Sequence, residues 1–351
     1  MRRLSLAFAL VVGMGILAAI VVAQQKSSSG PYKVLRTVKV GGDGGFDYVY
    51  ADSSGRRLYV PRSGPTGRIT VFDLDTLASV GEIPNANGHG VAVDPKVNHG
   101  FLTSKAIVMF DTKTLAMIKT IEVQGNPDGI LFDPFNERIY DLSHIAPNVT
   151  VIDAKDGSVV GTIDLGGMPE QAVSDGKGHL YIDIEDKEKI AVIDAKTLAV
   201  TASYDLAGKG GTCAGLALDL KNRILFATCR NPKTMVILNA DDGNIITTLP
   251  IGTGTDGAVF NPNTMEAFSS HADGTLTVVK ENSPTSFDVE QTVQTMPSAK
   301  TLTLDSKTNR ILLIAAEYGP PPATPPPGTP PGRPVRGPMV QDSFSILDVG
   351  K

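Results

Sequence analysis

Residues 167–206 read GMPEQAVSDGKGHLYIDIEDKEKIAVIDAKTLAVTASYDL, and this stretch decides the fold. It opens on a turn of small residues and runs as a short apolar strand to Asp175. A second Gly-rich turn leads into a strand centred on Tyr181. A third strand ends in Ile193-Asp194, and a fourth, β-branched strand follows. Apolar residues alternate at period two within each segment, and turn residues separate the segments, which is the pattern of antiparallel strands joined by tight turns.

The same unit recurs outward in both directions. First strands end at Asp52, Asp94, Asp133, Asp175, Asp219, Asn261 and Asp305, 39 to 44 residues apart. Second strands carry Tyr59, Phe101, Tyr140, Tyr181, Phe226 and Phe268, with Leu312 to Ile314 in the last repeat. Third strands end at Asp73, Asp111, Asp153, Asp194, Asn239, Lys280 and Asp348. Four strands per repeat, seven times over, predict an all-β, seven-bladed propeller of four-stranded antiparallel blades. An open array would expose sheet edges, whereas a ring protects them. The seventh repeat lacks a fourth strand, and an unassigned strand of the right type, KVLRTVKV at 33–40, precedes the first. This N-terminal strand is expected to complete the last blade and close the ring. The aromatic stripe is read as blade packing, and the recurrent strand-terminal Asp residues as turn-binding groups.

Composition agrees with a turn-rich β protein: 36 Gly and 24 Pro in 351 residues, with no Trp. The formal charge of -5 and the absence of any basic block exclude an electrostatic footprint for nucleic acid. At the N-terminus, Arg2 and Arg3 precede an apolar run over 4–22, and Val21-Val22-Ala23 offers a small-residue cleavage site. Residues 1–23 are therefore read as an export signal, which places the protein in the periplasm or outside the cell. The run is also long enough to anchor the chain in a membrane if it is left uncleaved. Residues 24–32 read as a linker and 33–351 as the propeller. The segment YGPPPATPPPGTPPGRPVRGP at 318–338 interrupts the seventh repeat as a Pro-rich insertion, either a surface loop or a recognition segment.

The stretches GMPEQAVSD (167–175), HLYIDIED (179–186), KIAVIDAKTLAV (189–200) and GNPDGILFDPFNERIY (125–140) carry a family resemblance. The repeat resembles the YVTN-repeat, YncE-like β-propellers over residues 33–351. The resemblance implies the fold and an exported location. Related propellers serve as lactonases, nitrite-reductase domains and quinoprotein subunits, and no short catalytic motif comes with the likeness. The Pro-rich insertion departs from the family pattern.

First strands line a propeller's channel, and they begin on the face where second strands end. Ligand sites favour that mouth because loops converge there. Five residues before each terminal Asp or Asn lie Asp47, His89, Asp128, Glu170, Ala214, Asp256 and Lys300. Near the second-strand ends lie Arg62, Lys105, His144, Glu185, Arg230, His271 and Glu317. The first set holds four carboxylates, which would repel one another and attract a divalent cation. His89, His144 and His271 are candidate transition-metal ligands, supplied by different blades. A polar, wet rim without chemistry is the alternative.

No GxSxG, HExxH, P-loop or CxxCH is present. The leading expectation is a non-catalytic, monomeric propeller that binds a small molecule, a cation or a protein at the mouth. The second is a lactonase-type hydrolase in which Glu170, Asp128 or His89 activates water and Arg62 or Arg230 holds a carboxylate. The third is a cell-envelope scaffold using the Pro-rich loop. Cys213 and Cys229 are the only cysteines. A hairpin closing about Lys221, with Asp219 opposite Arg223, sets them face to face and predicts a disulfide.

Overall fold

The structure, a computed structural model, describes residues 29–322, 324 and 335–351. The segment read as an export signal, 1–23, and the first part of the expected linker lie outside the described residues, as does the centre of the Pro-rich insertion. The described residues form seven four-stranded antiparallel sheets and contain no helix. Six blades run in simple chain order over 50–84, 91–121, 127–163, 169–205, 213–250 and 255–294. The seventh joins Thr301–Asp305, Arg310–Ala315 and Ser345–Gly350 to the N-terminal strand Lys33–Lys39. That strand is the outermost of its sheet and pairs Val38 with Ile346 and Lys33 with Gly350. Arg36 adds an ion pair to Asp348 at 2.9 Å across the closure.

The innermost strands touch one another in ring order, and the first touches the last. Seven apolar clusters occupy the seven spaces between adjacent blades. One packs Leu58 and Val60 of blade 1 on Ile314 and Ile346 of blade 7, so the ring is closed by core as well as by hydrogen bonds. Tyr59, Phe101, Tyr140, Tyr181, Phe226 and Phe268 are buried in these clusters and serve packing. Burial of each large side chain contributes about 1.5–3 kcal/mol. The strand-terminal Asp residues bind turn backbone: Asp73 accepts from Thr76 N at 2.9 Å, and Asp194 from Lys196 N at 2.8 Å. The linker ends in a fixed point, because Tyr32 is buried against Phe268 and pairs both its backbone groups with Gln291.

One irregularity repeats. In blades 3 to 6 the first hairpin slips by one residue at its mouth end, between Pro127 and Ile130, Pro169 and Ala172, Cys213 and Gly215, and Thr255 and Ala258. Such a bulge re-aims the side chains it contains. It also corrects the expected register of the fifth blade. Asp219 pairs with Ile224 rather than Arg223, and the bulge then brings Cys213 opposite Cys229, where the two are disulfide-bonded.

Candidate functional site

In blades 3 to 6 the residue five before the first-strand terminus, Asp128, Glu170, Ala214 or Asp256, falls at or beside this bulge. The structure joins six of the seven residues five before a terminus, Asp47, His89, Asp128, Glu170, Asp256 and Lys300, with three residues that follow second strands, His144, Glu185 and Arg230. His89 Nδ1 lies 3.0 Å from Asp47 Oδ2 and 3.3 Å from Asp128 Oδ1. His144 Nε2 lies 3.3 Å from Asp128 Oδ2 and 3.0 Å from Glu170 Oε2. On the other side Arg230 donates to both Glu185 and Asp256. Lys300 donates to Asp256 and reaches Asp47 at 3.5 Å. The chain of contacts runs around the axis through all seven blades, and blade 5, where Ala214 holds the ring position, is represented by Arg230. The repulsion expected among the carboxylates is relieved because a cationic or imidazole group stands between each pair, save Glu170 and Glu185 of blade 4.

The belt shifts its own titration. Burial acts to raise Asp47, but the His89 bond and the Lys300 charge outweigh it and hold the carboxyl below its ordinary range. Asp128 is pushed up to about 6 by burial and by the neighbouring Asp47 and Glu170 charges. The Glu170 bond pushes His144 up to about 9, and the Asp47 bond likewise raises His89. Burial raises Glu185, with Glu170 adding to it.

Four residues that sequence reasoning passed over complete the site. Tyr48 reaches from blade 1 across the channel to donate to Glu170 O at 2.8 Å. Gln171 of blade 4 accepts from Leu216 N at 3.0 Å and from Ala258 N at 3.2 Å, and donates to Ala258 O at 3.1 Å. Together they floor the mouth above an axial cavity of about 180 Å³. They occupy the next position inward from the belt, which is Gly90, Gly129, Gly215 and Gly257 in four other blades. A Cβ at Gly129 would meet Glu170 O at 2.8 Å, and one at Gly215 would meet the Gly257 carbonyl carbon at 2.6 Å. Four glycines thus make the room that two long side chains use. Behind the belt, Asp141 and Asp183 are fully buried, and each has a carboxyl oxygen without a hydrogen-bond partner among the described residues. Burial, with Asp128 second, pushes Asp141 up to about 8, and burial holds Asp183 well above the usual range.

Four expected members are elsewhere. Lys105 lines an outer hollow with Asp43 and Arg68, and Glu317 faces Lys39 at 3.9 Å. Arg62 is buried, stacked on Phe344 at 3.5 Å, and donates to Gly41 O and Asp43 O. His271 is buried and held by Ser269 Oγ at 3.0 Å and Thr275 O at 2.9 Å, and burial pulls it down to about 4. The three candidate histidines therefore do not converge: the two groups that could hold a cation combine His89 with Asp47 and Asp128, and His144 with Asp128 and Glu170, and His271 belongs to neither. The reason is register. His144, Glu185 and Arg230 lie four residues beyond the blade aromatic, but Arg62 and His271 lie three beyond Tyr59 and Phe268, still inside their strands. One residue of offset turns a strand side chain to the opposite face.

No protein-family model matches the chain, and no curated protein of similar sequence was found.

Proposed function

We propose that the protein is an exported binding propeller of the YVTN-repeat type whose channel mouth captures a divalent cation and, through it, a small polar ligand. The observation that carries this reading is that His89 and His144 each face two carboxylates at 3.0–3.3 Å in a floored basin. Imidazole with carboxylate is a donor set for first-row divalent ions. Three protein ligands leave coordination positions for water or a ligand oxygen. Arg230 and Lys300, across the basin, supply positive charge to an acidic group of that ligand. Export is supported by the Arg2-Arg3 start and apolar run, and by the Cys213–Cys229 disulfide, which needs an oxidising compartment.

The test is the melting temperature of the exported chain in EDTA against Mn²⁺ or Zn²⁺. An ion at a hundred times its dissociation constant stabilises by about 2.7 kcal/mol, a shift of several degrees. The account expects that shift in the wild type and none in the His89→Ala/His144→Ala double variant; no shift with either ion contradicts it. A lactonase-type hydrolase is the second reading, supported by the His144–Glu170 bond lying in one basin with Arg230. Turnover of a lactone panel that disappears in Glu170→Ala would establish it, and an inert wild type would remove it.

A further inference from the structure

Asp128 occupies a special place in the belt, because its two oxygens are divided between two different histidines. Oδ1 faces His89, which also faces Asp47, and Oδ2 faces His144, which also faces Glu170. In each of the two groups the three donor atoms lie within 4.8 Å of one another. We infer that the mouth holds two divalent first-row cations, one in each group, bridged by the Asp128 carboxylate.

The spacing supports this. Metal–ligand bonds of about 2.0–2.2 Å at tetrahedral or octahedral angles place neighbouring donor atoms roughly 3.0–3.6 Å apart. The histidine–carboxylate separations of 3.0–3.3 Å already have those values, and the two carboxylates of each group lie within 4.8 Å, so an ion draws in only the carboxylate pair. A carboxylate that offers one oxygen to each of two ions suits the separation of about 3.5–4 Å found in two-metal sites. Asp128 sits in a bulge of an innermost strand, and its side chain is 13% exposed. Charge gives the rest of the composition. Two ions bring four positive charges to three carboxylates, and the fourth negative charge comes from a bridging hydroxide or from a ligand carboxylate. The one-nitrogen, two-oxygen set of each group favours Mn²⁺ or Zn²⁺ over Ca²⁺, which takes oxygen ligands.

This inference rests on the mouth being a cation site, and the experiment separates the two claims. The exported chain is stripped with EDTA and titrated with Mn²⁺ and with Zn²⁺ by calorimetry, with bound metal counted after dialysis. Two equivalents are expected, falling to one in His89→Ala and in His144→Ala, and remaining two in Glu317→Gln, which lies outside the belt. The Mn²⁺ spin-resonance spectrum is expected to show an exchange-coupled pair in the wild type and an isolated ion in each single-histidine variant. Asp128→Asn is expected to lose the coupled spectrum and weaken binding at least tenfold. One equivalent without coupling overturns the pair and leaves the single-cation reading standing; none overturns both. Two equivalents that persist in both histidine variants place the ions elsewhere and overturn the inference. If a variant fails to fold by circular dichroism, the wild-type count and spectrum decide alone.

Discussion

At the scale of single residues, Asp141 offers a test apart from the belt. Its carboxyl is fully buried, both oxygens lack a partner among the described residues, and it titrates at about 8 against 3.8 in an unfolded chain. The folded state therefore keeps a proton that the unfolded state has released. Stability is full below about pH 4 and is lost as pH rises toward 8, at about 1.4 kcal/mol per unit. Asp141→Asn, a neutral near-isostere, should raise unfolding free energy at pH 7.5 by on the order of 2–4 kcal/mol and remove that slope. Denaturant titrations of both proteins at pH 5 and 7.5 check it, and parallel pH dependences would contradict it. Residue identity also shows what the sequence left hidden. The belt positions on first strands were legible because a constant distance from the terminal Asp survives the repeat. Arg62 and His271 were misplaced because the aromatic, not the strand end, is the fixed reference, and counting from it exposes the offset. Tyr48 and Gln171 had a signal in hindsight: they stand where four other repeats carry glycine.

At the scale of strands, closure is the feature with the largest consequence. Lys33–Lys39 supplies the outer strand of blade 7, and Tyr32 ahead of it docks on blade 6. Without it, Ser345–Gly350 becomes an open edge, and exposed edges invite association. Deleting residues 29–39 should lower the melting temperature by roughly 10 °C or more, with a shift to larger species on gel filtration, since several kcal/mol of pairing and burial are removed. An unchanged melting point and an unchanged elution volume would show that the ring closes by another route. This strand was legible from counting alone, because six repeats had four strands and the last had three. The bulges were not legible. Alternation of apolar residues fixes which face is buried but carries no mark for a single inserted residue, so the Cys213–Cys229 pair was expected in a register one residue out along most of its hairpin.

At the scale of the whole molecule, seven similar blades build one dissimilar site. The repeat sets a ring of equivalent positions, and divergence at those positions places imidazole and carboxylate on one arc and Arg230, Asp256 and Lys300 on the other. The floor of Tyr48 and Gln171 turns a through-channel into a basin open on the mouth side. The most direct measurement is anomalous diffraction from crystals of the protein soaked in Mn²⁺. The account predicts peaks in the basin on either side of the Asp128 carboxylate, one against His89 and one against His144. A well-ordered mouth with no anomalous peak, or peaks confined to the outer surface of the blades, would contradict it.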